Sequence, residues 1–181
     1  SSSVQYITTF MNAYNNVIFL DNHDLDRYFS SVNEDIDKLK MGLSFLLTSR
    51  GIPMIYYGTE ILTTGLEHTG HGFIRTDFPG GWPSDETNAF TEEGRTDEQN
   101  EIFNYIRKIA EWRKGNKAVT EGKMLHFVPD NNVYVYFRYT ENEAVMVLMN
   151  NHASKNKTVK TDRFYEILDQ YSKGKNILTG D

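Results

Sequence analysis

The sequence of 181 residues predicts two parts of different class: an α/β part built on parallel strands over residues 1–117, then a small antiparallel β-sandwich over 118–181. Three observations carry this. The apolar run Val17 to Leu20 stops abruptly at Asp21-Asn22-His23-Asp24-Leu25-Asp26-Arg27, as a buried parallel strand does where it surfaces at a functional edge. A second run, Gly51-Ile52-Pro53-Met54-Ile55-Tyr56-Tyr57-Gly58-Thr59-Glu60, follows at a separation of about 30 residues, which suits one βαβ unit. Towards the C-terminus the composition shifts to β-branched and aromatic segments joined by short polar turns, the pattern of antiparallel hairpins.

Taken in order, Val4 to Tyr14 carries the mixed apolar pattern of a helix end, and Val17 to Leu20 is a short continuous strand. Ser31-x-x-Glu34 is a capping-box pattern, after which Ile36, Leu39, Leu43, Leu46 and Leu47 recur at helical spacing. Gly51 follows Arg50 where a glycine C-cap belongs. Ile52 to Tyr57 is the next strand, with Pro53 near its start, where proline is tolerated, and Tyr56 and Tyr57 on opposite sides. Residues 58–94 form a long polar loop rich in Gly and Thr, and loops of that length in compact domains are usually functional or disordered. Thr96-x-x-Gln99 caps a helix whose stripe is Ile102, Ile106 and Ile109, joined by Phe103 and Ala110, and Gly115 ends it. The domain boundary falls between Gly115 and Glu121. Val133 to Tyr139 and Ala144 to Met149 are strands joined by a hairpin at residues 140–143, with further strands at Met124 to Val128, Lys157 to Val159 and Phe164 to Leu168.

The bulk numbers exclude several classes. The net charge of −6 and the lack of a basic cluster argue against nucleic acid as a partner. No apolar run is long enough for a membrane-spanning helix. The absence of Cys rules out disulfides, thiol catalysis and thiolate zinc sites, without fixing the compartment. A periplasmic or extracellular location is the expectation, and no secretory signal is legible. Aromatic residues make up 13% of the chain, which strands and cores account for ahead of sugar stacking.

The two strand ends together resemble the α-amylase family of glycoside hydrolases. Phe19 to Asp24 is similar to that family's last signature region, which ends in Asn-His-Asp. Gly51 to Glu60 is similar to its eighth barrel strand, G-x-P-x-I-Y-Y-G-x-E. Arg75-Thr76-Asp77-Phe78-Pro79-Gly80-Gly81-Trp82 resembles a loop of the neopullulanase and cyclomaltodextrinase-like branch. The resemblance implies the C-terminal portion of a (β/α)8 TIM barrel, strands seven and eight with their helices, followed by the family's β-sandwich. A complete barrel needs about 250 residues, so the chain is expected to be a C-terminal fragment; Ser1 in place of an initiator Met agrees with that, and Ser1 to Ser3 also suit a cloning scar.

What the resemblance implies for chemistry is cleavage of α-glucosidic bonds with retention, in starch-like glucans, maltooligosaccharides or cyclodextrins. Asp24 takes the place of the carboxylate that grips ring hydroxyls in the transition state, and His23 of the histidine that donates to the same sugar. Both can meet one sugar only if the chain turns at the strand end. The simpler roles are a loop cap for Asp24 and a core histidine for His23. Arg27 is a candidate for orienting a carboxylate or for substrate binding in a neighbouring subsite, set against a surface ion pair with Asp26 or Asp21, which is the favoured reading. Asn22 suits a hydrogen bond at the strand end. Glu60 suits loop support more than chemistry. The nucleophile pattern G-x-R-x-D does not occur, and the nucleophile and the acid Glu are expected upstream of Ser1, leaving the isolated chain inactive. Glu34, Glu92 and Glu93, at a helix start and in a loop, are not substitutes.

No cofactor is expected. Calcium occurs in part of the family, and no calcium site is legible here. His68 and His71 in a Gly-rich loop are a weak metal pattern. Asp77, Phe78 and Trp82 offer substrate-facing or stacking surfaces, with Pro79-Gly80-Gly81 read as a turn. Asn156-Lys157-Thr158 is a glycosylation triplet by pattern only. The expected partner is an α-glucan, and two barrel strands with open edges are expected to self-associate or to bind the missing part of the barrel. The alternatives are a non-catalytic carbohydrate-binding relative and a metal-dependent hydrolase using Asp21, His23, Asp24 and His71.

Overall fold

The computed structural model describes residues 14–152 and 155–181. The helix expected over Val4 to Tyr14 lies outside the described residues apart from its last position. The chain forms two compact units, residues 1–46 with 50–103, and residues 47–49 with 104–181.

The first unit contains β1 (Val17–Ile18), α1 (Tyr28–Ser31), α2 (Ile36–Thr48), β2 (Ile52–Pro53) and α3 (His71–Ile74), and α4 (Asp97–Gly115) begins in it. β1 and β2 are parallel, with Val17 opposite Ile52 and Ile18 opposite Pro53. Ile52 N–H donates to Asn16 O at 2.9 Å and Met54 N–H to Ile18 O at 2.8 Å. The ladder steps over Pro53, which has no N–H to give. Both strands are shorter than the sequence predicts. At one end Asp21 turns inward, and at the other Thr59 N–H donates to Tyr56 O and closes a turn. Val17, Phe19, Ile52 and Met54 are exposed. At alternate positions of paired strands they share one face.

The start of α2 differs from the sequence reading. Asn33 and Glu34 take positive φ, 58° and 57°, so the Ser31-x-x-Glu34 box does not form. Asp35 caps the helix instead, accepting from Lys38 N–H at 3.1 Å. That bond, foremost among the causes, holds the Asp35 carboxyl below the usual carboxylate range. Leu39, Leu43 and Leu46 are buried along the predicted stripe. Gly51 has φ of 112°, and a Cβ there would press on Asn16 O and the Ile18 side chain, so the return into β2 requires glycine. At α4 the predicted box does form: Gln99 N–H donates to Thr96 Oγ1 at 3.2 Å and Thr96 N–H to Gln99 Oε1 at 2.9 Å.

The second unit holds the rest of α4, α5 (Lys117–Thr120), β3 (Lys123–His126), β4 (Val133–Tyr139), β5 (Ala144–Asn150) and α6 (Tyr165–Leu168). The three strands form an antiparallel sheet in the order β3-β4-β5. The hairpin pairs Tyr139 with Ala144, and Thr140 Oγ1 accepts from the Asn142 and Glu143 amides at 3.3 Å each. Val133, Val135 and Phe137 face Phe164 and Ile167 in the core. The further strands expected at Lys157 to Val159 and Phe164 to Leu168 do not form. The latter segment is helical, because Phe164 and Ile167 are buried three apart while Tyr165 between them is exposed.

β4 buries its other face as well. Arg138 is almost wholly buried and donates to three carbonyls, through Nη1 to Thr48 O at 3.1 Å and Ser49 O at 2.6 Å, and through Nη2 to Gly122 O at 2.8 Å. Beside it the Tyr136 hydroxyl bonds the Thr48 hydroxyl, and burial pushes the Tyr136 phenol far up, so it stays protonated. Arg138→Met strands three carbonyls and is expected to cost roughly 3 kcal/mol or more in urea unfolding; a loss under about 1 kcal/mol would mean that the carbonyls find other donors.

Candidate active site

The site is built on the turn that follows β1. Asp21, 2% exposed, points inward, and its two oxygens accept from Thr59 Oγ1 at 3.1 Å each and from Tyr28 N–H at 3.0 Å. Asn22 then bends the chain: its Oδ1 accepts from Asp24 N–H at 2.8 Å, an Asx turn. Alternation along a strand would send adjacent side chains to opposite faces. After this turn His23 and Asp24 instead lie together, His23 Nε2 being 3.1 Å from Asp24 Oδ2. Both side chains are more than half exposed, at 63% and 57%.

Arg75 completes the cluster. Its Nη2 donates to Asp24 Oδ1 at 2.9 Å and its Nε to His23 O at 2.8 Å. His71 Nδ1 lies 3.2 Å from the same Nη2. The sequence reading missed Arg75 as a site residue. The available signal was its isolation, as the only Lys or Arg between Arg50 and Arg95 in an otherwise acidic stretch.

Arg27 requires correction. Expected to touch substrate or to pair with Asp26 or Asp21 on the surface, it does pair with Asp21 but is fully buried. Its Nε lies 3.5 Å from Asp21 Oδ2, Nη1 donates to Ile74 O at 3.3 Å, and Nη2 makes a short bond to Tyr57 O. Its guanidinium stacks 4.4 Å from the Tyr56 ring centre and 5.6 Å from that of Tyr57. Its backbone N–H donates to Gly65 O at 2.9 Å. No face of it is open to a sugar; it joins the ends of both strands to the following loop. Gly58, at φ 85°, belongs to this packing, since a Cβ there would run into Thr63 Oγ1 and Arg27 Nη2.

Tyr56 and Tyr57 do not point to opposite sides. β2 has ended, and their rings meet edge-on at 4.6 Å. Tyr57 hydroxyl donates to Thr76 O at 2.9 Å, and desolvation, foremost, raises its pKa, so it remains a donor at neutral pH. Glu60 sits in the one-turn helix Thr59–Ile61 with Oε2 shielded from solvent, away from the His23 and Asp24 cluster's hydrogen bonds. Asp77 and Trp82 are exposed, and Phe78 packs on Phe90 at 4.5 Å. The expected turn at Pro79-Gly80-Gly81 forms, Gly81 N–H donating to Phe78 O at 3.1 Å, and Asp85 Oδ2 holds it by accepting from the Gly80 and Trp82 amides at 2.7 and 3.1 Å.

No group of three or more His, Asp and Glu side chains that could hold a metal occurs among the described residues. The set proposed for a metal-dependent hydrolase does not converge, because Asp21 is turned to the interior while His71 faces the Arg75 cation.

The family model for the α-amylase catalytic domain matches residues 2–118. The chain belongs to the α-amylase family. Its remaining part matches the cyclo-malto-dextrinase C-terminal domain over residues 124–181. β1 and β2 are thus part of the family's barrel, and the antiparallel sheet belongs to the C-terminal β domain that follows it. A cyclomaltodextrin glucanotransferase of Niallia circulans is 33% identical over 171 residues, covering 90% of this chain and 21% of the relative. An alpha-amylase of the same organism is 32% identical over 171 residues, covering 91% and 29%. Among solved structures, the gamma-CGTase of alkalophilic Bacillus clarkii superposes with a TM-score of 0.62 at 28% identity, over 84% of this chain and 20% of that one. An Anoxybacillus alpha-amylase gives 0.71 at 24% identity, over 98% and 35%, a likeness of fold. The chain spans about a fifth of the length of the cyclomaltodextrin glucanotransferases it matches.

Arg27→Met leaves the Asp21 carboxylate buried without its cation and is expected to cost about 3 to 5 kcal/mol. Urea unfolding measures it, with Leu25→Ala, at an exposed position of the same turn, as the control. A loss no larger than the control's would mean that the pair does not hold the loop.

Proposed function

We propose that this chain is the C-terminal portion of a retaining α-amylase-family enzyme acting on α-glucosidic bonds. Its barrel part is residues 1–117 and its β-sandwich 118–181. Asp24 and His23 hold the sugar at the cleavage site. The observation that carries this is the Asx turn at the end of β1, which brings the two side chains to one point at the mouth of the strand. The names of the relatives support starch-like glucans, maltooligosaccharides or cyclodextrins as the substrate class.

Retaining cleavage uses two carboxyl groups about 5 to 5.5 Å apart, one as nucleophile and one as acid. In our reading chain outside these residues supplies both. Asp24 does neither job. As the sugar flattens and gains positive charge, a fixed carboxylate and a histidine N–H that bind its ring hydroxyls more tightly in that state lower the barrier. The exposure of both side chains leaves them free to take those hydroxyls.

The exposed face of Val17, Phe19, Ile52 and Met54 fits the same reading. Parallel sheets are covered on both faces, so the rest of the barrel is the partner that this face and the strand edges accept. In its absence a second copy serves.

Two outcomes are expected. In the full-length protein, Asp24→Asn lowers turnover of maltooligosaccharides by about 10²-fold or more, measured as reducing ends released, with overall stability unchanged. Turnover left at the wild-type level would remove Asp24 from the mechanism. Binding without turnover by the wild type would favour the non-catalytic carbohydrate-binding relative. The 181-residue chain alone is expected to be inactive and to associate. Light scattering checks this, and a monomer that binds no apolar dye would count against it.

A further inference from the structure

We propose that Arg75 is a positioning residue for the sugar-gripping pair: its guanidinium fixes both the Asp24 carboxylate and the backbone that carries His23. This rests on the role given to Asp24 and His23 above. Arg75 makes one bond to each residue, through Nη2 to Asp24 Oδ1 and through Nε to His23 O. A planar fork with donors at fixed spacing can set the direction of one group relative to the other; a point charge cannot.

The hydrogen-bonding capacity of Asp24 supports a positioning role. An ionised carboxylate has about four acceptor sites. Arg75 occupies one on Oδ1, and the Asp24 side chain is more than half exposed. The contact on Oδ2 comes from His23 Nε2 at 3.1 Å. When a sugar arrives, its hydroxyls enter between His23 and Asp24 and this contact opens. The Arg75 bonds lie on the other oxygen and on the main chain, so they persist and keep the pair aimed while it opens.

Most exposed Arg–carboxylate pairs contribute little, because a long side chain must be immobilised. Arg75 differs in what flanks it. The carbonyl before it, Ile74 O, accepts from buried Arg27 Nη1 at 3.3 Å, and the Ile74 side chain is itself buried. The carbonyl after it, Thr76 O, accepts from the Tyr57 hydroxyl at 2.9 Å. Both neighbouring peptides are therefore tied to the end of β2, by Tyr57 directly and by Arg27 through Tyr57 O. The Asp21–Arg27 pair inside acts on the site through Arg75.

The test uses Arg75→Ala, Arg75→Lys and Tyr57→Phe in the full-length enzyme. Misaiming a group by about 1 Å can cost about 10²-fold. Arg75→Ala is expected to lower kcat by that order with KM nearly unchanged, and added guanidinium ion should restore part of the loss. Arg75→Lys recovers little, since one ammonium does not reproduce the fork. Tyr57→Phe, which frees Thr76 O, lowers kcat in the same direction by a smaller factor. An unchanged kcat, or a rise in KM alone, would overturn the proposal; the latter would make Arg75 a plain substrate contact. If the wild type turns over no glucan, the functional reading fails by itself. The positioning claim is then decided by amide and imidazole NMR shifts of His23 and Asp24 in wild type and Arg75→Ala. Movement of both, with core signals fixed, supports it, and unmoved shifts overturn it.

Discussion

The buried pair of Asp21 and Arg27 is the interaction on which the first unit depends. Two charges lie a few residues apart on one turn, both withdrawn from water. Desolvation of that kind is offset only when the remaining polar atoms are also satisfied. Here they largely are. Asp21 accepts from Thr59 and from the first amide of α1, while Arg27 donates to the carbonyls of Tyr57 and Ile74 and lies against two tyrosine rings. One cation thereby joins the ends of two neighbouring strands to a loop that carries no regular sheet of its own.

The consequence for the site is a division of labour between adjacent residues. Asp21 and Arg27 face inward and fix the loop; Asn22 turns the chain; His23 and Asp24 face outward. The outward pair is hydrogen-bonded to Arg75, and the carbonyl before Arg75 accepts from Arg27 of the inward pair. The polar knot after β1 is thus one construction with a buried structural side and an exposed side to which we assign sugar binding. Its loop partner is held by further latches of the same kind, Ser30 Oγ accepting from the Gly65 amide and Asp26 from that of Glu67. In the second unit Arg138 has a comparable part, joining β4 to the carbonyls of Thr48, Ser49 and Gly122.

Several features were legible in the chain because they are local. The helical stripes of α2 and α4, the Thr96 to Gln99 box and the hairpin between β4 and β5 follow from spacing and turn chemistry within a few residues. Other features were misread where backbone conformation or distant contacts decide. The Ser31 box lost to Asp35 because the chain passes through left-handed conformations at Asn33 and Glu34. The segment from Phe164 to Leu168 is apolar enough for a strand, but only its helical form buries Phe164 and Ile167 together. Tyr56 and Tyr57 share a side because Arg27 gathers both rings.

By itself the sequence determined the class of the chain and put His23 and Asp24 forward as candidates, since motif order and periodicity are properties of the chain. Only the tertiary structure decided that Arg27 is inside and Arg75 outside on Asp24. Both are arginines in polar stretches with carboxylates in reach, and local pattern does not separate them. What separates them is which carbonyls lie close enough in space to satisfy a guanidinium withdrawn from water. Those of Tyr57 and Ile74 are 30 and 47 residues from Arg27 along the chain.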